Sequence, residues 1–150
     1  CDCHMIDAIA RKPLWQHLIN YRCGTGHSVS FVGNVHEGPH ALNGRNTTLM
    51  RPGMIVTDEP GVYETDLVGI RIENELVCVH KADNQYGTFL GFEPIMFVPI
   101  ATSPIVPGVL TKDELDWLNN YHRQVFEKLA PRLNDEEREW LAKKCAAIGC

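Results

Sequence analysis

Between Gly24 and Glu75 the chain carries residue types that can hold a divalent cation: imidazoles at His27 and His36, and carboxylates at Glu59 and Glu73. A neutral imidazole with two carboxylates is a mixed nitrogen and oxygen donor set that suits Mn, Co or Zn. A bridging carboxylate could also hold two cations close while cancelling part of their repulsion, as two-metal hydrolysis requires. Taken singly, each residue has a plainer reading. A histidine after Gly24-Thr25-Gly26 can be a satisfied turn or core residue, and His36 a loop residue bonded to backbone. Lone glutamates are usually solvated, Arg71 could be a surface strand residue, and Tyr63 a core aromatic.

The elements that position these side chains follow from periodicity. Met5 to about Tyr21 has helical spacing, with Ile6, Ile9 and Ala10 on one face, then Leu14, Trp15, Leu18 and Ile19 resuming the stripe. Pro13 predicts one helix ending at Arg11 and a short second one starting at the proline. Cys1 to His4 reads as a frayed terminus. After the glycine break, residues 27–32 alternate as a strand with His27, Val29 and Phe31 on one face. His36 falls in a loop turned by Gly38-Pro39, and residues 40–50, with a tight turn at Asn43-Gly44, read as a surface loop.

Met54 to Asp58 is the next strand, ended by Pro60-Gly61, with Asp58 pointing away from Glu59. Val68 to His80 is a strand pair or one long strand, with Arg71, Glu73 and Glu75 on one face. Phe92 to Val98 reads as a core strand. Thr111 and Glu114 form a capping box for a helix that buries Leu115, Leu118, His122, Val125, Phe126 and Leu129. Asn134 and Glu137 repeat the device for a final helix with Trp140 and Leu141 on its apolar face. A helix, several strands, then helices give an α+β domain: a curved antiparallel sheet covered by helices.

With 150 residues the chain fits one domain, and its 22% charged residues are ordinary for a globular protein. A formal net charge of -5 provides no basic face for nucleic acid. No apolar run approaches the roughly 20 residues of a membrane span. Cys1, Cys3, Cys23, Cys78, Cys145 and Cys150 are irregularly spaced and read as free thiols of the cytoplasm. The first residue is Cys1 and not Met, so the chain is expected to be a processed product or a piece of a longer protein.

Three stretches go further: Asn34-Val35-His36-Glu37-Gly38-Pro39, Gly53 to Glu64 (GMIVTDEPGVYE) and Gly69 to Val77 (GIRIENELV). Together they resemble the Xaa-Pro aminopeptidase (aminopeptidase P) branch of the pita-bread metallopeptidases, over nearly the whole chain. The resemblance implies the C-terminal half of a pita-bread catalytic domain, with residues 1–108 bearing the site and 109–150 a helical extension. It implies hydrolysis of the N-terminal Xaa-Pro bond of peptides with proline second, using two divalent ions, Mn first with Zn or Co as alternatives. His27 would be a terminal ligand. Glu59 would bind the same ion and take a proton from water, and Glu73 would bridge. His36 would contact the substrate, Arg71 would orient the carboxylates, and Tyr63 would support them.

Cys23 stands on the substrate side where the family commonly has histidine, and Ser28 and Ser30 stand where it commonly has glycine, so the site is expected to be narrower or slightly displaced. The family takes two more ligands, a pair of aspartates, from a preceding half. Asp58 points away, Asp66 sits in a turn and Asp83 in a polar loop, so none substitutes. The isolated chain is therefore expected to bind metal weakly or not at all, and to be inactive. Its severed apolar face is expected to form a homodimer or to pair with the missing half. Two other readings stay open: an Xaa-Pro dipeptidase, and a pita-bread domain that binds peptide or protein without catalysis. The wording around His36 and the stretch from Asp116 to His122 favour the aminopeptidase. Keeping His27, Glu59 and Glu73 argues against the binding module; Cys23, Ser28 and Ser30 argue for it.

Overall fold

Asp2 opens the first helix, α1 (Cys3–Trp15): its side chain accepts the Met5 N–H at 2.9 Å, and its backbone bridges to Leu49. The start of the chain is thus anchored and not frayed, and Cys3 is fully buried. α1 also runs through Pro13. The missing N–H removes a single bond near the helix end, on an exposed side, and the helix survives that loss. It stops at Trp15. The Leu14 carbonyl then accepts from both His17 and Ile19, and Leu18 takes φ +59° with its side chain 97% exposed, so the expected stripe from Leu14 to Ile19 does not form. Nor does Ile9 face inward. The buried stripe runs through Cys3 and Asp7, with Arg11 half-buried beyond them.

The structure is a computed structural model that describes residues 1–149, so Cys150 lies outside the described residues. It divides into two compact units, one ending at Met96 and the other beginning at Phe97. In the first unit the described strands are β1 (Gly26–His27), β2 (Ala41–Leu42), β3 (Ile55–Asp58), β4 (Gly61–Glu64), β5 (Val68–Arg71), β6 (Asn74–Asn84) and β7 (Gly87–Pro94). Every pairing is antiparallel: β1 with β2, β3 with β6, β6 with β7, and β4 with β5.

Several predicted boundaries move. The strand predicted over residues 27–32 shrinks to β1 and one bridge between Ser28 and Val56, because β2 presents only two partners; Phe31 is fully exposed. Residues 40–50 are not a surface loop. Ala41 and Leu42 pair with β1, His40, Leu42 and Met50 are buried, and His40 Nε2 donates to the Ile55 carbonyl at 2.7 Å. The stretch from Val68 to His80 is neither one long strand nor a pair: it breaks at Ile72 and Glu73 into β5, which pairs with β4, and β6, which pairs with β3 and β7. Arg71 and Glu73 therefore share no continuous strand face. β7 begins at Gly87 and ends at Pro94, so Ile95 to Val98 lie outside the ladder. Asp83 lies in β6, where its carboxylate meets His80 and Thr88.

Cys3, Leu42, Met50, Val56 and Cys78 form the core of this unit, with Ile6, Met54, Leu76 and Phe92 against it. Cys1, Cys3, Cys23, Cys78 and Cys145 are free thiols.

The second unit is helical. Both predicted capping boxes are present: Thr111 with Glu114 at the start of α2 (Lys112–Leu129), and Asn134 with Glu137 at the start of α3 (Asp135–Lys144). Tyr121, Val125 and Leu141 make its core, packed by Phe97, Ile100, Phe126, Leu129 and Leu133. Trp140 does not join them. It is 57% exposed, with the Lys144 ammonium 5.8 Å from its ring centroid, because Leu141 alone fills the inward position of α3. The segment before α2 is held by side chains of that helix. Tyr121 Oη accepts the Val98 N–H and donates to the Val98 carbonyl, and His122 Nε2 accepts the Ile100 N–H at 3.1 Å. Among the described residues no helix is long and apolar enough to cross a membrane.

Candidate functional site

Gly26 is the point from which the site is built. A Cβ on it would stand 1.7 Å from the Thr57 carbonyl oxygen, so only glycine lets β1 lie this close to β3. The next residue, His27, donates its N–H to Thr57 Oγ1 at 2.9 Å, and the same hydroxyl donates to Glu59 Oε1 at 2.9 Å. Glu59 is fixed from its own backbone as well, its N–H reaching the Thr25 carbonyl at 2.7 Å. Thr57 and Glu59 lie two residues apart, the spacing that puts side chains on one side of an extended chain.

These contacts bring His27 Nε2 to 3.0 Å from Glu59 Oε1. His27 Nδ1 lies 3.1 Å from the Ser28 carbonyl, which can only accept, so Nδ1 carries the hydrogen. Nε2 is then the ring atom that faces the carboxylate, and the pair fits the nitrogen and oxygen donors of a divalent ion.

The remaining side chains gather around this pair. The His36 ring lies beside that of His27, with centroids 3.8 Å apart and planes tilted by 31°. Arg71 Nη1 is 3.4 Å from Glu59 Oε2, while its Nη2 donates to Cys23 Sγ at 3.3 Å. Cys23, His27, His36, Glu59 and Arg71 all line one cavity of about 430 Å³. Tyr63 stands outside its wall, 60% exposed, with its ring centroid 5.4 Å from the Arg71 guanidinium carbon. Asp58 does not line this cavity, and burial pushes its carboxyl above the usual range. Ser28 is buried with its hydroxyl unpartnered.

Glu73 is exposed and is not in the cavity wall. Among the described residues no three His, Cys, Asp or Glu side chains gather into a metal-holding cluster. Glu73 nonetheless directly precedes Asn74, whose partner in the β3–β6 ladder is Asp58, the residue before Glu59.

Thr25, Gly26, Thr57, Asp7 and Arg11 are the supporting residues that motif reasoning missed. Asp7 and Arg11 left one trace in the sequence, an acid and a base at helical i,i+4 spacing. The bonds of Thr25 and Thr57 to this knot leave no local signal.

Two families match the chain. Metallopeptidase family M24 matches residues 1–80, and the C-terminal region of peptidase_M24 matches residues 88–148. A probable Xaa-Pro aminopeptidase P of Coprinopsis cinerea is 42% identical over 97% of this chain and 25% of its own length. Aminopeptidase P1 of Lotus japonicus is 43% identical over 97% of this chain and 23% of its own. Among solved structures, the X-prolyl aminopeptidase of Caenorhabditis elegans, described as a cytosolic enzyme with a di-nuclear active site, superimposes with a TM-score of 0.88. It is 35% identical, over 99% of this chain and 25% of that one. The chain thus spans about a quarter of the length of these relatives.

Proposed function

This chain belongs to metallopeptidase family M24 with the α+β pita-bread fold, and from that we propose that it is the C-terminal portion of the catalytic domain of an Xaa-Pro aminopeptidase. The observation that carries the reading is the His27–Glu59 pair, tied through Thr57, with His36 and Arg71 at its rim. The aminopeptidase P relatives support the substrate class, peptides with proline second.

His27 and Glu59 would hold one of two divalent ions, with Glu73 bridging to the second and further ligands coming from the rest of the protein. Such ions supply a Lewis acid and a nucleophilic water at neutral pH, and the mixed nitrogen and oxygen donor set suits Mn, Zn or Co, with Mn put first by the family resemblance. Glu59 accepts the proton of the attacking water through its carboxylate, which Thr57 and Arg71 hold from opposite oxygens. His36, exposed and beside His27, donates to the scissile carbonyl oxygen as negative charge develops there. Cys23 bounds the substrate side, and Tyr63 backs Arg71. The exposed apolar residues of β5, Val68 and Ile70, favour association with the rest of the protein or a second copy. A cytoplasmic setting is supported by the free thiols and by the cytosolic C. elegans relative.

The test uses the full-length protein loaded with Mn(II). It is given a tripeptide with proline second, the same tripeptide with alanine second, and an Xaa-Pro dipeptide. Release of the first residue from the proline tripeptide alone is expected, and Glu59→Gln should lower kcat by about 10²–10⁴. Cleavage of the dipeptide alone would make it a dipeptidase. A metal-loaded protein that cleaves none of them would refute catalysis and favour the binding module. Calorimetry on the 150-residue chain should show weak Mn(II) uptake; tight binding of two ions would refute the need for outside ligands.

A further inference from the structure

We propose that Asp7 and Arg11, on α1 and outside the cavity wall, are positioning residues for the loop that leads into the metal-binding residues; the inference rests on the function proposed above. Arg11 distributes its guanidinium over one carboxylate and the loop ahead of β1. Its Nε donates to Asp7 Oδ2 at 2.8 Å. Its Nη1 donates to the Tyr21 carbonyl at 2.7 Å and to Asn20 Oδ1 at 3.0 Å, and its Nη2 to the Cys23 carbonyl at 2.7 Å. The guanidinium carbon also lies 3.9 Å from the Tyr21 ring centroid. The second oxygen of Asp7 accepts the Thr25 hydroxyl, which in turn meets Tyr21 Oη.

An ion pair on a helix surface would need none of this. Here the two side chains are only 11% and 4% exposed, and burying two charges is unfavourable unless their remaining donors and acceptors are satisfied. Every one of those satisfying groups belongs to residues 20–25. Residues 20–24 lie outside any strand ladder, and there the Tyr21 and Cys23 carbonyls are held by the guanidinium; sheet-side bonding resumes only at Thr25, whose N–H donates to the Leu42 carbonyl at 2.8 Å.

The segment then sets the chemistry. Its Thr25 carbonyl takes the Glu59 N–H, and its Cys23 sulfur takes an N–H of Arg71, the residue that faces the other Glu59 oxygen. Both the carboxylate and its guanidinium partner are thus referenced to a loop that Arg11 shapes without touching either. Metal ligands tolerate displacements of only about 0.2 Å. A lysine would keep the charge of Arg11 but could not span the same acceptors from one nitrogen.

The test is made in the full-length protein with Arg11→Lys and Thr25→Val, reading Mn(II) affinity by calorimetry, kcat and KM on the proline tripeptide, and melting temperature. Both variants are expected to lose about 10–100-fold in Mn(II) affinity, the usual effect of removing a residue behind a ligand. At saturating metal, kcat should fall more than KM rises. Phe92→Leu, which loosens the same unit's core away from the loop, should lower the melting temperature and leave Mn(II) affinity intact. If Arg11→Lys does not fold, Thr25→Val decides, since it removes only one hydroxyl. Mn(II) affinity within twofold of wild type in the folded variants would overturn the inference, as would an equal loss in Phe92→Leu. A wild-type protein that binds Mn(II) but cleaves no Xaa-Pro peptide would overturn the proposed function, and the affinity comparison would still judge Arg11.

Discussion

Replacing Gly26 by alanine should disable the site while adding a single methyl group. The new Cβ would stand 1.7 Å from the Thr57 carbonyl oxygen, where real Cβ contacts stay beyond 3.0 Å, so the two backbones have to part by at least 1.3 Å. The obstacle is main chain, so no rotamer change relieves it. Overpacking of this kind costs about 3 kcal/mol or more when a backbone has to move. The displaced segment carries His27, whose Nε2 now lies 3.0 Å from Glu59 Oε1. A shift of that size is several times the roughly 0.2 Å that metal coordination tolerates. Urea denaturation and Mn(II) calorimetry on the full-length protein should therefore report both a lower midpoint and loss of tight metal binding. Gly44→Ala is the matched control, because its Cβ would meet nothing nearer than Asp7 Oδ2 at 4.0 Å. A Gly26→Ala protein as stable as the control, with metal affinity unchanged, would refute the argument that this close approach sets the ligand geometry.

Three other outcomes are expected. Thr57→Val strips the half-buried His27 N–H of its acceptor and Glu59 of a donor, which should cost about 1–3 kcal/mol by denaturation and weaken Mn(II) binding about 10–100-fold. Thr111→Ala and Asn134→Ala each remove an N-cap and should each cost about 1 kcal/mol without affecting metal binding. His122 is fully buried, and burial lowers its pKa below 6.5. Between its folded pKa and 6.5 the unfolded chain binds more protons, so stability is complete above 6.5 and declines as the pH falls. Urea midpoints at about pH 5 and pH 7 should differ by less in His122→Gln than in wild type.

The capping boxes were legible because their chemistry is local: Thr111 and Glu114, or Asn134 and Glu137, meet within a single turn. His27, His36, Glu59 and Arg71 are legible through the motifs that carry them, and they converge on one cavity. The alternation puts Glu73 on a face shared with Arg71, but Glu73 lies in the break between β5, which ends at Arg71, and β6, which begins at Asn74, and alternation alone does not reveal that break. Residues 40–50 looked solvated because the partners that bury Leu42 and Met50, among them Cys3 and Val56, lie elsewhere in the chain. Asp7 and Arg11 were passed over for the converse reason. Charged residues on a helix read as its wet side, and the distant partners of these two, the Tyr21 and Cys23 carbonyls for Arg11 and the Thr25 hydroxyl for Asp7, explain why they are dry.

The way α2 holds the segment before it has a bearing on solubility. Val98 and Ile100 donate their amides at alternate positions, as an extended chain does along one edge, and each amide meets a side-chain atom, Tyr121 Oη or His122 Nε2, not a neighbouring strand. A stretch containing Phe97, Val98 and Ile100 with those amides bare would be a template for edge-to-edge association with another molecule. The two side chains blunt that template from within the same unit, so mutating them endangers the protein through aggregation as well as through lost packing.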